Sequence, residues 1–297
     1  MHIKKNDCFD LLVILEQLEA LDLAQWLRSG AAAARCAHCD ESSITRRIRA
    51  SLKALRLELV RNSEFELQGD HTLLVLQRLV HQQARFLGHR PLRLDATHFV
   101  RRQLCAAPMP GWVLGPCDHR GNEAMLGLLQ GRILDAWITS DLKGLPSSPA
   151  LAVVPLWDWP GELVVSYCHP LANERGLSLG EVNKFPTLIV PDNLYPELAN
   201  AIRAMGFTGT SSLNRYDVGT WDRITEDALT ISYGSCISLA ADSNLSPLDW
   251  KHDFIGGEAL ILLTEWLDNP AISLLLEDLR SRQKILQQKF PQLVGHL

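Results

Sequence analysis

Apolar residues recur along the first ninety positions with a helical period. From Asp10 to Trp26, Leu11, Leu12, Leu15, Leu18, Leu21, Leu23 and Trp26 form the apolar side of one amphipathic helix. Further on, Ile44, Ile48, Leu52 and Leu55 fall at i, i+4, i+8 and i+11, which again predicts a single apolar face. Arg46, Arg47, Arg49 and Lys53 occupy the opposite face. An alanine run, Ala31–Ala34, precedes this helix and suits close packing on a neighbour. Between the two lies Cys39-Asp40-Glu41-Ser42-Ser43, whose short polar side chains favour turns and helix N-caps. Two short helices joined by a tight polar turn, the second basic, describe a helix-turn-helix.

The period then changes. Arg61 to Gly69 alternates Phe65 and Leu67 with Glu64, Glu66 and Gln68, an extended piece that reads as a wing. Asp70 to Leu87 is helical again, with Leu73, Leu76, Val80 and Leu87 at heptad-like positions and polar Gln83 at the remaining one. A coiled-coil seam and a helix packed on its own domain both satisfy that pattern. Gly88-His89-Arg90-Pro91 ends it. Beyond Pro91, short apolar strands alternate with helices, an α/β texture. Strands are predicted at Leu92–Asp95, Trp112–Leu114, Ile133–Ile138, Leu151–Pro155, Glu162–Ser166, Thr187–Val190, Ala228–Ser232 and Ala259–Leu263. Helices are predicted at Asn122–Gln130, Ser178–Val182, Tyr195–Met205, Ser235–Ala241 and Pro270–Lys289. Such a segment forms either one large sheet or two small lobes.

Charge sharpens the first half of this picture. Eight Arg or Lys stand against Asp40, Glu41 and Glu58 between Arg28 and Arg61, although the whole chain carries −5. A basic patch on an acidic protein is the footprint of one DNA-contacting surface, while arginines that merely solvate an outer helix face would give the same count. The 46% hydrophobic and 21% charged content is that of a soluble globular protein, and 297 residues suffice for more than one domain. No apolar run is long enough to span a bilayer, and the start lacks a signal-peptide core, so a cytoplasmic protein without membrane contact is expected. Seven scattered cysteines argue for a reducing compartment. Cys36-Ala-His-Cys39 is a CxxC without a second ligand pair nearby, so no metal is expected there. No Gly-rich phosphate loop or GxSxG follows any strand, and neighbouring residues in a strand point apart, which disfavours Cys168-His169 as a nucleophile pair. Neither an enzyme nor a cofactor is expected.

The whole chain resembles a LysR-type transcriptional regulator. The run from Ala33-Ala34 through Ser42-Ser43-Ile44-Thr45-Arg46-Arg47-Ile48 is similar to that family's helix-turn-helix signature. Leu55-Arg56-Leu57-Glu58-Leu59-Val60-Arg61 is similar to its wing, and Leu67 to Leu74 to the start of its linker helix. Leu92 to Thr97 resembles the first regulatory strand and effector loop, Leu128 to Ile138 the Gly–Leu–Asp block, and Cys168 to Leu179 the crossing into the second lobe. The departures are specific. Glu41 and Ser42 replace a Gln and a Pro, Arg56 replaces the Gly before the wing, and Asp70-His71 replaces an Ala-Gly. The acid matters most, because a carboxylate is repelled by phosphate and can accept only from cytosine in the major groove.

The resemblance implies an α/β protein with a winged helix-turn-helix over 1–68, a linker helix over 69–90, and a two-lobed effector-binding domain of the periplasmic-binding-protein kind over 91–297. DNA contact is then expected from Ser42, Ser43, Thr45, Arg46, Arg47, Arg49, Lys53 and, from the wing, Arg61. In doubly wound lobes, ligands bind outside the carboxyl ends of strands. Four such ends carry short polar groups: Ala96-Thr97-His98, Thr139-Ser140, Asp192-Asn193 and Gly234-Ser235. They imply a small, anionic metabolite, with His98 able to add positive charge; the competing reading is that these hydroxyls only cap their own helices. Asp135 is expected to hold a loop at a strand end. The function expected is a DNA-binding regulator controlled by that effector, a homodimer or homotetramer on double-stranded DNA. The alternative is a small-molecule binding protein or enzyme whose helix-turn-helix no longer reads DNA.

Overall fold

The computed structural model describes residues 15–60, 65–105, 107, 109–117, 120–140, 142, 144–189, 196–207, 211–212, 223–224, 229–236, 239, 244–250 and 255–296. The chain divides into two compact units, Met1–Arg93 with Leu128–Asp135, and Leu94–Gly127 with Ala136–Leu297.

In the first unit, α1 (Leu15–Leu27) packs on α2 (Gly30–Cys36) and α3 (Glu41–Leu55). Their shared core contains Leu18, Leu21, Leu55, Leu57 and Leu74, with Ile48 and Leu52 partly buried against it. The apolar face expected of α3 is therefore the one that is covered. The turn begins earlier than expected. α2 is closed by Ala37 and His38, the latter in the left-handed region (φ 50°), and Cys39 N–H donates to Ala34 O at 3.0 Å. Glu41, Ser42 and Ser43 already belong to the first turn of α3.

α3 ends at Arg56, also left-handed (φ 55°), and the chain enters a two-stranded wing, β1 (Glu58–Leu59) against β2 (Leu67–Gln68). Gly69 closes the wing with φ 127°; a Cβ there would stand 2.8 Å from the Leu57 side chain. Arg61 lies outside the described residues. α4 (Thr72–Phe86) follows, and Asp70 begins it by accepting from the Thr72 amide (2.9 Å) and hydroxyl (2.6 Å).

The second unit is built on β3 (Leu92–Ala96), β4 (Trp112–Leu114), β5 (Ala136–Thr139), β6 (Leu151–Ser166), β7 (Thr187–Ile189), β8 (Ser211–Ser212), β9 (Ile231–Ser235), β10 (Leu245–Pro247), β11 (Ile255–Leu263) and β12 (Val294–Gly295). Helices α5 (His98–Leu104), α6 (Asn122–Gln130), α7 (Leu179–Val182), α8 (Pro196–Ala204) and α9 (Pro270–Lys289) connect or follow them.

Strand order is β4-β3-β5-β11-β6-β9-β7-β8, with β10 and β12 also on β6. Two ladder groups share that central strand. Residues 151–160 of β6 pair with β11, and residues 161–166 pair with β9 and β10. The two lobes expected from sequence thus correspond to two half-sheets threaded by one strand, not to two separate sheets. Pro155 and Pro160 made 151–155 and 162–166 read as separate strands. Proline removes a ladder donor, and the chain tolerates this by placing Pro155 beside a bulge opposite Glu258 and Ala259, and Pro160 where β6 changes partners.

Candidate DNA-facing helix and ligand-facing strand ends

On α3, Ser42, Thr45, Arg46, Arg49 and Lys53 are exposed, and Ser43 is half-buried. Asp40 caps the helix. Its carboxylate accepts from Ser42 Oγ (2.6 Å), Ser43 N (2.8 Å) and Ser43 Oγ (2.8 Å). Those bonds, the Ser42 hydroxyl foremost, hold Asp40 well below the usual carboxylate range. Arg46 donates to Ser43 Oγ at 2.9 Å, so Asp40, Ser43 and Arg46 form one polar chain on the exposed face. Thr45 Oγ1 donates to Glu41 O at 2.9 Å. Arg47 differs from the other arginines: it is half-buried and reaches back to Cys39 Sγ at 3.7 Å.

In the second unit, β3 and β5 run parallel with Ala96 opposite Ile138, and Thr97 N–H donates to Ile138 O at 3.1 Å. The fold therefore brings Ala96-Thr97-His98 and Thr139-Ser140 side by side at one pair of carboxyl ends. Gly234 and Ser235 sit instead in the other half-sheet, opposite Glu162 and Gly161 of β6. Ser235 is the last residue of β9, and Cys236, directly after it, and Leu239 are helical; the rest of the expected helix, residues 237–238 and 240–241, lies outside the described residues. Asp192 and Asn193 also lie outside them.

Thr97 does not cap its own helix through its side chain. It is only 4% exposed and occupies the N-cap position of α5, yet makes no side-chain cap bond. Its Oγ1 is buried without a hydrogen-bond partner among the described residues. His98 is buried as the first residue of α5.

Two pairs singled out in the sequence take structural places. Cys168 is exposed in a turn, while His169 is buried, its Nδ1 accepting from Leu171 N at 3.0 Å and its ring tilted 58° against Phe185. Cys36 and Cys39 are free thiols at the end of α2.

No protein-family model matches the sequence, and no curated protein sequence matches it. Solved structures do match. CbnR in complex with its target DNA superposes with a TM-score of 0.55 at 14% identity, over 90% of this chain and 98% of that one. CbnR alone is described as a LysR family transcriptional regulator. The fold is that of a full-length LysR-family regulator. Full-length OxyR from Pseudomonas aeruginosa gives a TM-score of 0.53 at 14% identity over 91% and 98% of the two chains. Full-length BenM gives 0.52 at 17% over 92% and 97%.

Within this LysR-type fold the first unit holds a buried ionic network that the sequence reading missed apart from Asp135. Arg85 grips the Asp135 carboxylate with Nε (2.7 Å) and Nη2 (2.8 Å), and the same carboxylate accepts from Gln82 Nε2 (3.1 Å) and Arg93 N (2.9 Å). Asp22 of α1 takes Arg78 Nε at 2.8 Å and lies 3.6 Å from Arg93 Nη1. Arg93 Nη1 also donates to Ile133 O at 3.0 Å. The network thus ties α1 and α4 to the segment that leads into β5. Burial depresses the Arg93 guanidinium, and neighbouring Arg85 adds to this against the attraction of Asp22 and Asp135. A sequence signal did exist: Leu74, Arg78, Gln82 and Arg85 fall at i, i+4, i+8 and i+11 on α4.

Proposed function

We propose that the chain is a sequence-specific DNA-binding transcription regulator, cytoplasmic, homo-oligomeric and controlled by a small effector. The observation that carries this reading is the exposed basic face of α3, Arg46, Arg49 and Lys53, on a helix-turn-helix whose opposite face is buried. The LysR-type fold supports it, and one of the similar structures is a complex with target DNA. No helix among the described residues is long and apolar enough to cross a membrane. Ser42, Ser43, Thr45, Arg46, Arg49 and Lys53 are proposed to meet the major groove or its phosphates, with Arg61 reaching backbone from the wing. Arg47 supports the helix entry through Cys39.

The effector is proposed to bind outside the carboxyl ends of β3 and β5, with Ala96, Thr97, His98, Thr139 and Ser140 at the site; Gly234 and Ser235 would add to it from the other half-sheet, and Asp192 and Asn193 are proposed on the sequence alone. Thr97 supports this choice, because a buried hydroxyl without a partner costs roughly 1–3 kcal/mol unless something else satisfies it. An anionic metabolite would be held there by hydroxyls and backbone amides, with His98 able to add positive charge.

Selection of fragments from the source genome's DNA tests the regulator reading. Bound fragments should share one motif, and their affinity should fall steeply with salt as phosphate contacts release counterions. Arg46→Ala should cost about 1–3 kcal/mol and relax specificity at one position if it reads a base edge. A flat salt dependence would overturn the reading.

A further inference from the structure

Both half-sheets hang on one strand, β6, which changes partners at Pro160 and Gly161. Glu258 of β11 sits beside that joint and is 3% exposed. Its Oε2 accepts from the indoles of Trp157 and, at 2.6 Å, Trp159, which lie two apart on one face of β6. Trp159 reaches both ways. Its ring also packs on Tyr233 of β9, with centroids 6.1 Å apart and planes at 49°. Glu258 belongs to the first half-sheet and Tyr233 to the second, so this indole bridges the joint. We propose that Glu258 is a proton-operated latch: protonated, it holds Trp159 and keeps the half-sheets fixed to one another; ionised, it lets them part.

The backbone is shaped around these contacts. A Cβ at Gly256 would run into the Trp159 ring, and one at Gly257 into the Asp158 carboxylate, so the glycines before Glu258 leave room for both. The β6–β11 register slips directly after Glu258, and a bulge re-aims the side chain it follows. The groups around Glu258 supply no cation to balance its charge. β6 brings Asp158 and Glu162, β9 brings Tyr233, and His296 beyond β12 is held by Asp158 at 2.8 Å. β5, on the other side of β11, carries no titratable side chain. Ionisation strengthens both indole bonds but leaves a charge buried, and burial wins: the carboxyl rises to about 8 from 4.5. The closed joint therefore favours the proton, and a joint that admits water favours the anion. Tyr233 does not compete, because its own burial, with Glu258 and Glu162 adding to it, pushes the phenol upward. Glu162 does compete, since burial raises its carboxyl too. Thr97 and Thr139 end strands of one half-sheet and Ser235 ends a strand of the other, so the latch would also set the spacing of the proposed effector contacts. The latch itself does not depend on that reading.

Amide hydrogen exchange of the full chain from pH 6 to 9, corrected for the intrinsic pH dependence of exchange, tests the latch. Protection of residues 161–166 and 231–235, across the joint from Glu258, should fall by up to about tenfold per pH unit below 8 and level off above it. Amides of α1, in the other unit, should keep theirs. Glu258→Gln, which cannot ionise, should remove the pH dependence, whereas Glu162→Gln and His296→Gln should leave it. Trp159→Phe keeps a ring against Tyr233 but lacks the indole donor, and should remove the pH dependence at 231–235. If Glu258→Gln does not fold, Trp159→Phe decides alone, and a dependence retained at 231–235 overturns the latch. It is likewise overturned by a dependence that survives Glu258→Gln or vanishes in Glu162→Gln or His296→Gln. A loss of protection confined to residues 157–159 and 256–258 would show local titration without a latch, and an equal loss in α1 would show unfolding; either result sinks the proposal.

Discussion

Single residues carry strain and charge that can be measured. Arg56 adopts the left-handed conformation at the end of α3, φ 55° and ψ 41°, at the position where LysR-type sequences resemble this one but carry glycine. Its N–H is engaged with Leu52 O and Lys53 O, so the geometry is fixed by the cap and not by the side chain. A non-glycine residue there costs on the order of 1 kcal/mol. Arg56→Gly should therefore leave the protein as stable or raise its urea midpoint, and Arg56→Val, β-branched, should lower it. Glu258 poses an electrostatic case. It is 3% exposed, and its Oε2 accepts from the indoles of Trp157 and, at 2.6 Å, Trp159. Burial raises its carboxyl to about 8 from 4.5, the two indole bonds opposing that rise only in part. Because the folded state holds the proton more tightly, this stabilising contribution is complete below pH 4.5 and is lost as pH rises through 8. Unfolding free energy across that window should slope downward, and Glu258→Gln should flatten the slope. An unchanged slope in the variant would place the titration elsewhere.

At the scale of elements, legibility followed the period of the pattern. The boundaries of α9 coincide with those read from sequence, and those of β4 and α6 do too, because each is a self-contained run with its own stop signal. β6 was read as two strands, since prolines were counted as breakers and the tryptophans between them have no period. α4 was half-read. Its apolar stripe was visible, but two faces are striped, and only the fold tells which one turns inward: Leu74, Arg78, Gln82, Arg85 and Phe86 are buried. A polar stripe can face inward only where each group finds a partner, and Asp22 and Asp135, both distant in sequence, supply them. For the same reason Thr97 was legible as a strand-end hydroxyl, but its missing partner was not. Removing one member of a buried ion pair typically costs about 3–5 kcal/mol, as it strands the other. Asp135→Ala and Arg85→Met should each destabilise by that order in denaturant unfolding, and the double variant should lose less than the sum. Additive losses would mean that the bidentate pair contributes nothing as a pair.

The whole molecule is where the remaining stripe of α4 acquires meaning. With the polar face turned inward, Leu73, Leu76, Val80 and Leu87 are left 42%, 55%, 66% and 64% exposed, and Val75 and Leu79 flank them. The described residues of the first unit leave these positions uncovered. An apolar strip of this length is costly in water at roughly 25 cal/mol per Å², so a partner surface is expected, and heptad spacing makes the same helix of a second copy the natural one. Pairing two helices through one seam relates the subunits by a two-fold axis, and each copy then presents its own α3. Two consequences follow together. Light scattering at micromolar concentration should give a dimer or a higher assembly of dimers, and the fragments selected from genomic DNA should carry two half-sites in inverted orientation. Val80→Lys sets charge against charge in the middle of the seam, and should shift the scattering mass toward the monomer. The same variant should weaken binding to the two-half-site fragment far more than to a single half-site, because it leaves α3 untouched and removes only the linkage between copies. A Val80→Lys protein that remains dimeric, or loses both affinities equally, would show that α4 is not the seam.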